Sequence, residues 1–297
     1  MLDQWLRIFD QYDELCRDLL LKPEIIICGG EPLLSRILKN IITEIRKKWT
    51  DTRISILTNG TLIEKEIDLG FFKENRCYFQ ISIDGANASE NDFIRGKGSF
   101  DSAINGITRL RNKGILPNIQ TTLSKRTEKQ IEMFFKLAKA LHAKELNFTR
   151  LIPQGRASGL LKNKQDHILS PIELKNAYEN IIYFSEKYGV QTSTNKPLFA
   201  LIDPKLGSHG KFGFQGVIVD HLGNLKVSSR TPYILGNILE KGLKKLFLHH
   251  PVMVQLREGK IRKCGSCLLY RKCAGDRNAA FSKYGSFFEP DPGCWLN

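Results

Sequence analysis

No stretch of this 297-residue chain is apolar for long enough to cross a bilayer. The first helical pattern, Leu2 to Leu21, carries Asp3, Asp10, Asp13, Glu14 and Asp18, which excludes a secretory signal peptide and points to the cytoplasm. The even, dispersed cysteine set of a secreted disulfide scaffold is missing too. There are seven cysteines, an odd number, and four of them crowd the C-terminal end. No internal repeat or low-complexity stretch is present. The net charge is +14, yet Lys and Arg are scattered (Arg46, Lys47, Lys48; Lys125, Arg126; Lys244, Lys245). The aromatic-interleaved basic stripe of a nucleic-acid binder is therefore lacking. A basic surface of this kind suits an acidic partner, an anionic substrate or an electron donor.

What the chain does have is an alternation of helix and strand patterns over its first two-thirds. Trp5, Leu6, Ile8, Phe9, Tyr12, Leu15 and Leu19 recur at helical spacing, and the run Ile25-Ile26-Ile27 then reads as a buried strand. Helical patterns at Ile37 to Ile45, Ile63 to Phe72, Phe100 to Leu110 and Ile131 to Leu141 alternate with strand patterns at Ile54 to Leu57, Tyr78 to Ile83, Ile119 to Leu123 and Leu146 to Thr149. Thr127-x-x-Gln130 reads as a capping box. Ser170-Pro171-x-Glu173 opens a helix through Tyr188 that Gly189 closes. This order predicts an α/β fold with a parallel sheet, either an open doubly wound sheet or a partial barrel. After about residue 190 the pattern changes to a hairpin, Gly213 to Val227, turning at His221 to Asn224, with a short helix at Leu243 to Leu248. The expected division is 1–194 and 195–297.

Polar clusters follow three successive strands, where α/β folds place their sites. They are Gly29-Gly30-Glu31-Pro32, Thr58-Asn59-Gly60, and Ser82-x-Asp84-Gly85. Near the C-terminus the spacing Cys264-x2-Cys267-x5-Cys273-x20-Cys294 marks a metal site, iron–sulfur or zinc; on those spacings alone zinc is the better match. Cys16 and Cys77 read as apolar core residues, and His142, His167, His209 and His221 lack a partner at ligand spacing.

Taken together, Cys28-Gly29-Gly30-Glu31-Pro32, Leu57-Thr58-Asn59-Gly60, Gln80-Ile81-Ser82-Ile83-Asp84-Gly85 with Arg95-Gly96, and Phe148-Thr149-Arg150-Leu151-Ile152-Pro153-x-Gly155 resemble the radical S-adenosylmethionine (radical SAM) enzymes. Cys264-Gly-Ser-Cys267-x5-Cys273-Ala-Gly-Asp276-Arg277, ending Asp291-Pro292-Gly293-Cys294, is similar to their auxiliary-cluster extension, SPASM or the shorter twitch. The resemblance implies a partial (β/α)6 TIM-like barrel plus a small α+β iron–sulfur domain. In such enzymes a [4Fe–4S] cluster reduces S-adenosylmethionine to release a 5′-deoxyadenosyl radical for C–H activation. By motif position, Glu31 with Gly29, Gly30 and Pro32 would hold the methionine amino group beside Thr58 and Asn59. Ser82 and Asp84 would face ribose and carboxylate, Arg95 would pair with that carboxylate, and Leu151 with Ile152 would border the adenine. Cys264, Cys267, Cys273 and Cys294 would carry one auxiliary [4Fe–4S] cluster, with Asp276 beside it. The substrate expected from the largest branch is a peptide or protein, with tetrapyrrole or metal-cofactor maturation as the alternative and flavodoxin or ferredoxin as electron donor. The family's Cys-x3-Cys-x2-Cys triplet does not occur in this sequence. The expectation is therefore an N-terminally truncated barrel without its first strand, unable by itself to cleave S-adenosylmethionine; an inactive iron–sulfur scaffold is the reading from another class.

Overall fold

The computed structural model describes residues 2–63, 67–154, 167–208 and 216–296. Of the positions discussed above, Gly155, His209 and Gly213 lie outside the described residues. Helix α1 (Leu2–Asp18) leads into β1 (Glu24–Ile27), α2 (Leu38–Lys48), β2 (Arg53–Thr58), α3 (Leu69–Glu74), β3 (Cys77–Ser82), α4 (Ala88–Arg95), α5 (Ser99–Asn112), β4 (Asn118–Leu123), α6 (Ile131–Ala140), β5 (Glu145–Arg150) and α7 (Pro171–Tyr188).

All five strands are parallel and stand in sequential order, β1-β2-β3-β4-β5. A doubly wound sheet reverses its strand order at a switch point; this one does not. Uniform right-handed crossovers then place every helix on one side, so the sheet coils into a partial barrel. The strand parity agrees. Ile54, Ile56, Phe79, Ile81, Ile119, Leu123, Leu146 and Phe148 are buried in the core with Ile42, Ile45, Ile107, Leu110 and Phe134 of the helices. The alternate positions, Ser55, Gln80, Ser82, Gln120, Thr122 and Thr149, share the opposite, inner face and are half-buried. That inner face is thus largely polar over β3, β4 and β5, with Ile26, Leu57 and Tyr78 as its apolar members.

The C-terminal part holds an antiparallel sheet of β6 (Ile218–Val219), β7 (Asn224–Lys226) and β8 (Ile234–Asn237), followed by α8 (Ile238–Lys241), α9 (Leu243–His249), α10 (Pro251–Arg257), α11 (Tyr270–Cys273) and α12 (Arg277–Tyr284). Helix α1 serves both parts. Its Phe9 belongs to the barrel core, while Ile8 and Leu15 pack with Leu225, Ile238, Leu243 and Leu246. Gln11 also accepts a hydrogen bond from the Leu243 amide at 2.7 Å. Among the described residues no helix is long and apolar enough to cross a membrane.

Three local expectations need correction. Thr127 and Gln130 form no capping box: the Thr127 hydroxyl donates to the Thr122 carbonyl at 2.6 Å, and the Gln130 amide oxygen accepts from the Ala86 N–H at 3.0 Å. Helix α3 begins at Leu69, where Asp68 caps it by accepting from the Phe71 N–H, instead of at Ile63. The C-terminal hairpin gains a third strand, β8. The Ser170–Glu173 capping box is present in both directions, and Gly189 ends α7 at φ +64°.

Candidate functional site

The clusters after β1 and β2 meet at the Glu31 carboxylate. Oε1 accepts from the Thr58 hydroxyl at 2.6 Å and the Leu33 amide at 3.1 Å, and Oε2 accepts from the Asn59 amide at 2.9 Å. Thr58 is buried and itself accepts from the Gly60 amide. Gly60 sits at φ +80°, and a Cβ there would lie 2.8 Å from the Ile81 side chain, so this turn requires glycine. Three donors leave a carboxylate room for about one more. Glu31 is half-buried and reachable, and a Cβ built on Gly29 or Gly30 meets nothing within 4 Å. The result is a fixed negative charge beside an open stretch of backbone, the chemistry that an ammonium group requires.

The cluster after β3 is organised differently. Asp84 is buried; Oδ1 accepts from the Thr122 amide on β4 at 2.7 Å, and Oδ2 pairs with Arg95 Nη2 at 2.7 Å. Its own amide donates to Asn91 Oδ1 on α4 at 2.9 Å. Asp84 thus joins β3, β4 and α4, and Arg95 is engaged by a protein carboxylate. Ser82, two residues earlier, faces the barrel interior with no protein partner for its hydroxyl among the described residues. Leu151 follows β5, held by its amide bond to the Leu123 carbonyl at 2.9 Å, with buried Ile152 next to it.

Of the four C-terminal cysteines, Cys273 is buried, Cys264 and Cys294 are half-buried and Cys267 is exposed; none is in a disulfide. Burial pushes the Cys273 thiol up to about 11, against the pull of the Gly275 and Leu198 amides; the latter donates to Cys273 Sγ at 3.3 Å. Burial also raises Cys294, and the charges of Asp291, Cys264 and Cys267 raise it further, while Cys294 in turn raises Cys273, so the other three sulfurs each lie within electrostatic reach of Cys294. Among the described residues no three His, Cys, Asp or Glu side chains converge as a single ion would need. A [4Fe–4S] cube takes one thiolate on each iron, so its sulfurs stay apart. Four thiols free of disulfides, three of them grouped around Cys294, fit such a group. Asp276 spends Oδ1 on the Asn278 and Ala279 amides as the N-cap of α12. A cluster beside Glu31 is another matter. Cys28 is exposed at the end of β1, whereas Cys16 and Cys77 are buried in the core, so the described residues do not supply three thiolates there.

Several contacts of this region carry no sequence signal. Arg150, at the end of β5, forms a buried ion pair with Asp291 at 2.7 Å; their side chains are 7% and 0% exposed. Tyr178 stacks on Phe199 with ring centroids 4.1 Å apart. Lys196 donates to the Phe148 carbonyl at the edge of β5, where Gln191 already pairs with Glu145 and Leu146. Burial, aided by the Arg230 charge, lowers its amine from 10.5 to about 7. Between those values the unfolded chain holds a proton that the folded chain does not, so this residue makes stability rise as pH increases from about 7 towards 10.5. Lys196→Met is expected to remove that rise, read by urea denaturation at a series of pH values. A slope equal to that of the unsubstituted protein would show that the amine titrates normally.

The sequence profile of the Radical SAM superfamily matches residues 3–138. The chain is 30% identical over 295 residues to the AdoMet-dependent heme synthase of Methanosarcina barkeri, covering 92% of this chain and 82% of that protein. It is 27% identical over 302 residues to the mycofactocin maturase MftC of Mycolicibacterium smegmatis, covering 94% and 74%. Its fold superposes on Streptococcus suis SuiB bound to S-adenosylmethionine with a TM-score of 0.74 at 17% identity, covering 99% of this chain and 70% of that one. The sequential parallel sheet, the profile match and the heme synthase relative agree: the chain belongs to the radical SAM superfamily, an enzyme family whose cofactors are a [4Fe–4S] cluster and S-adenosylmethionine.

Proposed function

We propose that this protein serves C–H activation by the 5′-deoxyadenosyl radical on a peptide or protein side chain, as in the maturation of ribosomally made peptides. The observation that carries the S-adenosylmethionine part is the Glu31 carboxylate, pinned by Thr58 and Asn59 with one acceptor position to spare beside open glycine backbone. In this reading Glu31, Gly29, Gly30 and Pro32 hold the methionine amino end. The unpartnered Ser82 hydroxyl meets the ribose, Leu151 borders the adenine, and the Asp84–Arg95 pair shapes the corner that receives the carboxylate. Residues 195–297 form the auxiliary domain, where Cys264, Cys267, Cys273 and Cys294 hold one [4Fe–4S] cluster that supplies or relays electrons. The net charge of +14 favours an acidic electron donor such as a flavodoxin or ferredoxin, in the cytoplasm. Tetrapyrrole chemistry is the second reading, favoured by the 30% identity to a heme synthase.

These 297 residues contain no Cys-x3-Cys-x2-Cys, and those described offer no substitute near Glu31, so by themselves they are expected to bind S-adenosylmethionine without cleaving it; the radical chemistry proposed here needs a catalytic cluster held by thiolates that they do not supply. Calorimetry should show saturable binding, weakened ~10–100-fold in Glu31→Ala, the cost of losing a charge-assisted hydrogen bond. Absence of binding would overturn the cofactor site. Release of 5′-deoxyadenosine after reduction with dithionite, read by chromatography, would show that a catalytic cluster forms here after all.

A further inference from the structure

Arg277 is the largest fully buried side chain of the described residues, at 0% exposure. A buried guanidinium is normally matched by a carboxylate, because an isolated charge is costly to remove from water. Arg277 has no such match: among the described residues no carboxylate lies within ion-pair distance of it. Its Nε donates to the Gly275 carbonyl at 3.3 Å, and Nη1 donates to the carbonyls of Phe287 at 2.9 Å and Glu289 at 2.6 Å. Nη2 is directed at Cys264 Sγ, 3.9 Å away. The acids around it, Asp276, Asp291 and Glu289, are committed elsewhere, Glu289 pairing with Arg262 at 2.5 Å. Asp276 caps α12, and Asp291 accepts from Arg150, the Gly293 amide and the Asp276 amide. Even the backbone makes room for this cation. A Cβ on Gly275, at φ +64°, would lie 2.4 Å from Arg277 Nη2.

We propose that Arg277 is the built-in counter-cation of the C-terminal cysteine site and positions Cys264 as its ligand through an N–H···S bond. This rests on the assignment of the four cysteines to an iron–sulfur cluster. Four thiolates and their irons form an anionic group, and the charge that is missing beside Arg277 is the charge that such a group provides. Reduction of the cluster adds one more negative charge. A fixed cation and a hydrogen bond to a ligand sulfur both favour the reduced form and raise the potential.

The test uses the full chain, reconstituted anaerobically with iron and sulfide, comparing the unsubstituted protein with Arg277→Met and Arg277→Lys. Iron per chain is measured first and the midpoint potential second, by optical or EPR titration. The expected result is unchanged iron, with the Met variant's reduction equilibrium shifted tenfold or more toward the oxidised form. That corresponds to a drop of about 59 mV or more for a one-electron couple; the Lys variant should fall by less. Equal potentials in fully loaded unsubstituted and Met proteins would overturn the proposal. Where the Met variant does not fold, the Lys variant decides. In protein labelled with 15N-arginine, a hyperfine-shifted guanidinium resonance that is lost in Arg277→Lys supports the proposal, and the absence of one overturns it. Zinc or no metal in the unsubstituted protein would instead overturn the cluster assignment, a result that the iron analysis separates from a failure of Arg277 alone.

Discussion

Asp291→Ala is expected to destabilise the protein by about 3–5 kcal/mol, the range found when one partner of a buried ion pair is removed. The Asp291 side chain is fully buried and receives three donors: Arg150 Nη1 at 2.7 Å, the Gly293 amide at 2.7 Å and the Asp276 amide at 2.6 Å. Deleting it leaves the Arg150 charge buried without an anion and frees two amides, one next to Cys294 and one at the head of α12. Arg150 cannot swing away to water. Its guanidinium fills the space over Gly293, where a Cβ would lie 2.5 Å from Nη2. The pair therefore clamps the Cys294 turn onto the last barrel strand across 141 residues of sequence. Trp295 lies edge-on to Tyr178 with centroids 6.4 Å apart, so tryptophan fluorescence during urea denaturation reports this contact. Arg150→Met/Asp291→Leu should cost less than either single change, because it removes both charges together. Simple additivity of the two single changes would mean that the pair is not coupled.

The extent to which the fold could be read from sequence depended on how local each signal is. Strand parity and the Ser170–Glu173 box involve residues within one element, and their physics is complete at that range. The polar inner face was present in the strings Gln80-Ile81-Ser82 and Gln120-Thr121-Thr122, once period two is counted against the parallel register. The Thr127–Gln130 box failed because both side chains found better partners in neighbouring segments, Thr127 in the end of β4 and Gln130 in the loop after β3. Helix α4 leaves no sequence signal for a related reason: Ala88 to Arg95 has little apolar periodicity, and its position is fixed by Asn91 and Arg95 reaching Asp84. At the candidate site, the motif residues Glu31, Thr58 and Asn59 do meet. Asp84 and Arg95 also meet, but each other. That pairing, like Arg150 with Asp291 and Arg277 with Cys264, depends on distances that no spacing rule encodes.

Gly85→Ala should uncouple the site from the sheet. Gly85 follows Asp84, and a Cβ on it would lie 2.1 Å from the Asn91 backbone nitrogen and 2.4 Å from the Glu90 carbonyl carbon. These are backbone atoms inside α4, so no rotamer change relieves the overlap, and α4 as a whole must move. The movement stretches the Asp84 amide bond to Asn91 Oδ1 and the Asp84–Arg95 pair, both of which join the end of β3 to that helix. It also disturbs Asn91 Nδ2, which donates to Ser99 Oγ at 2.9 Å and so holds the start of α5. Overpacking of this kind costs about 1–3 kcal/mol, and rigid backbone on the receiving side places it at the upper end. Binding should fall further than stability does, because Asp84 also holds β3 against β4 through the Thr122 amide and thereby sets where Ser82 points. Calorimetric titration with S-adenosylmethionine is expected to show at least a tenfold loss of affinity in a variant that still unfolds cooperatively. A Gly85→Ala protein with unchanged affinity and stability would show that α4 is free to shift and that the Asp84–Arg95 corner takes no part in holding the ligand.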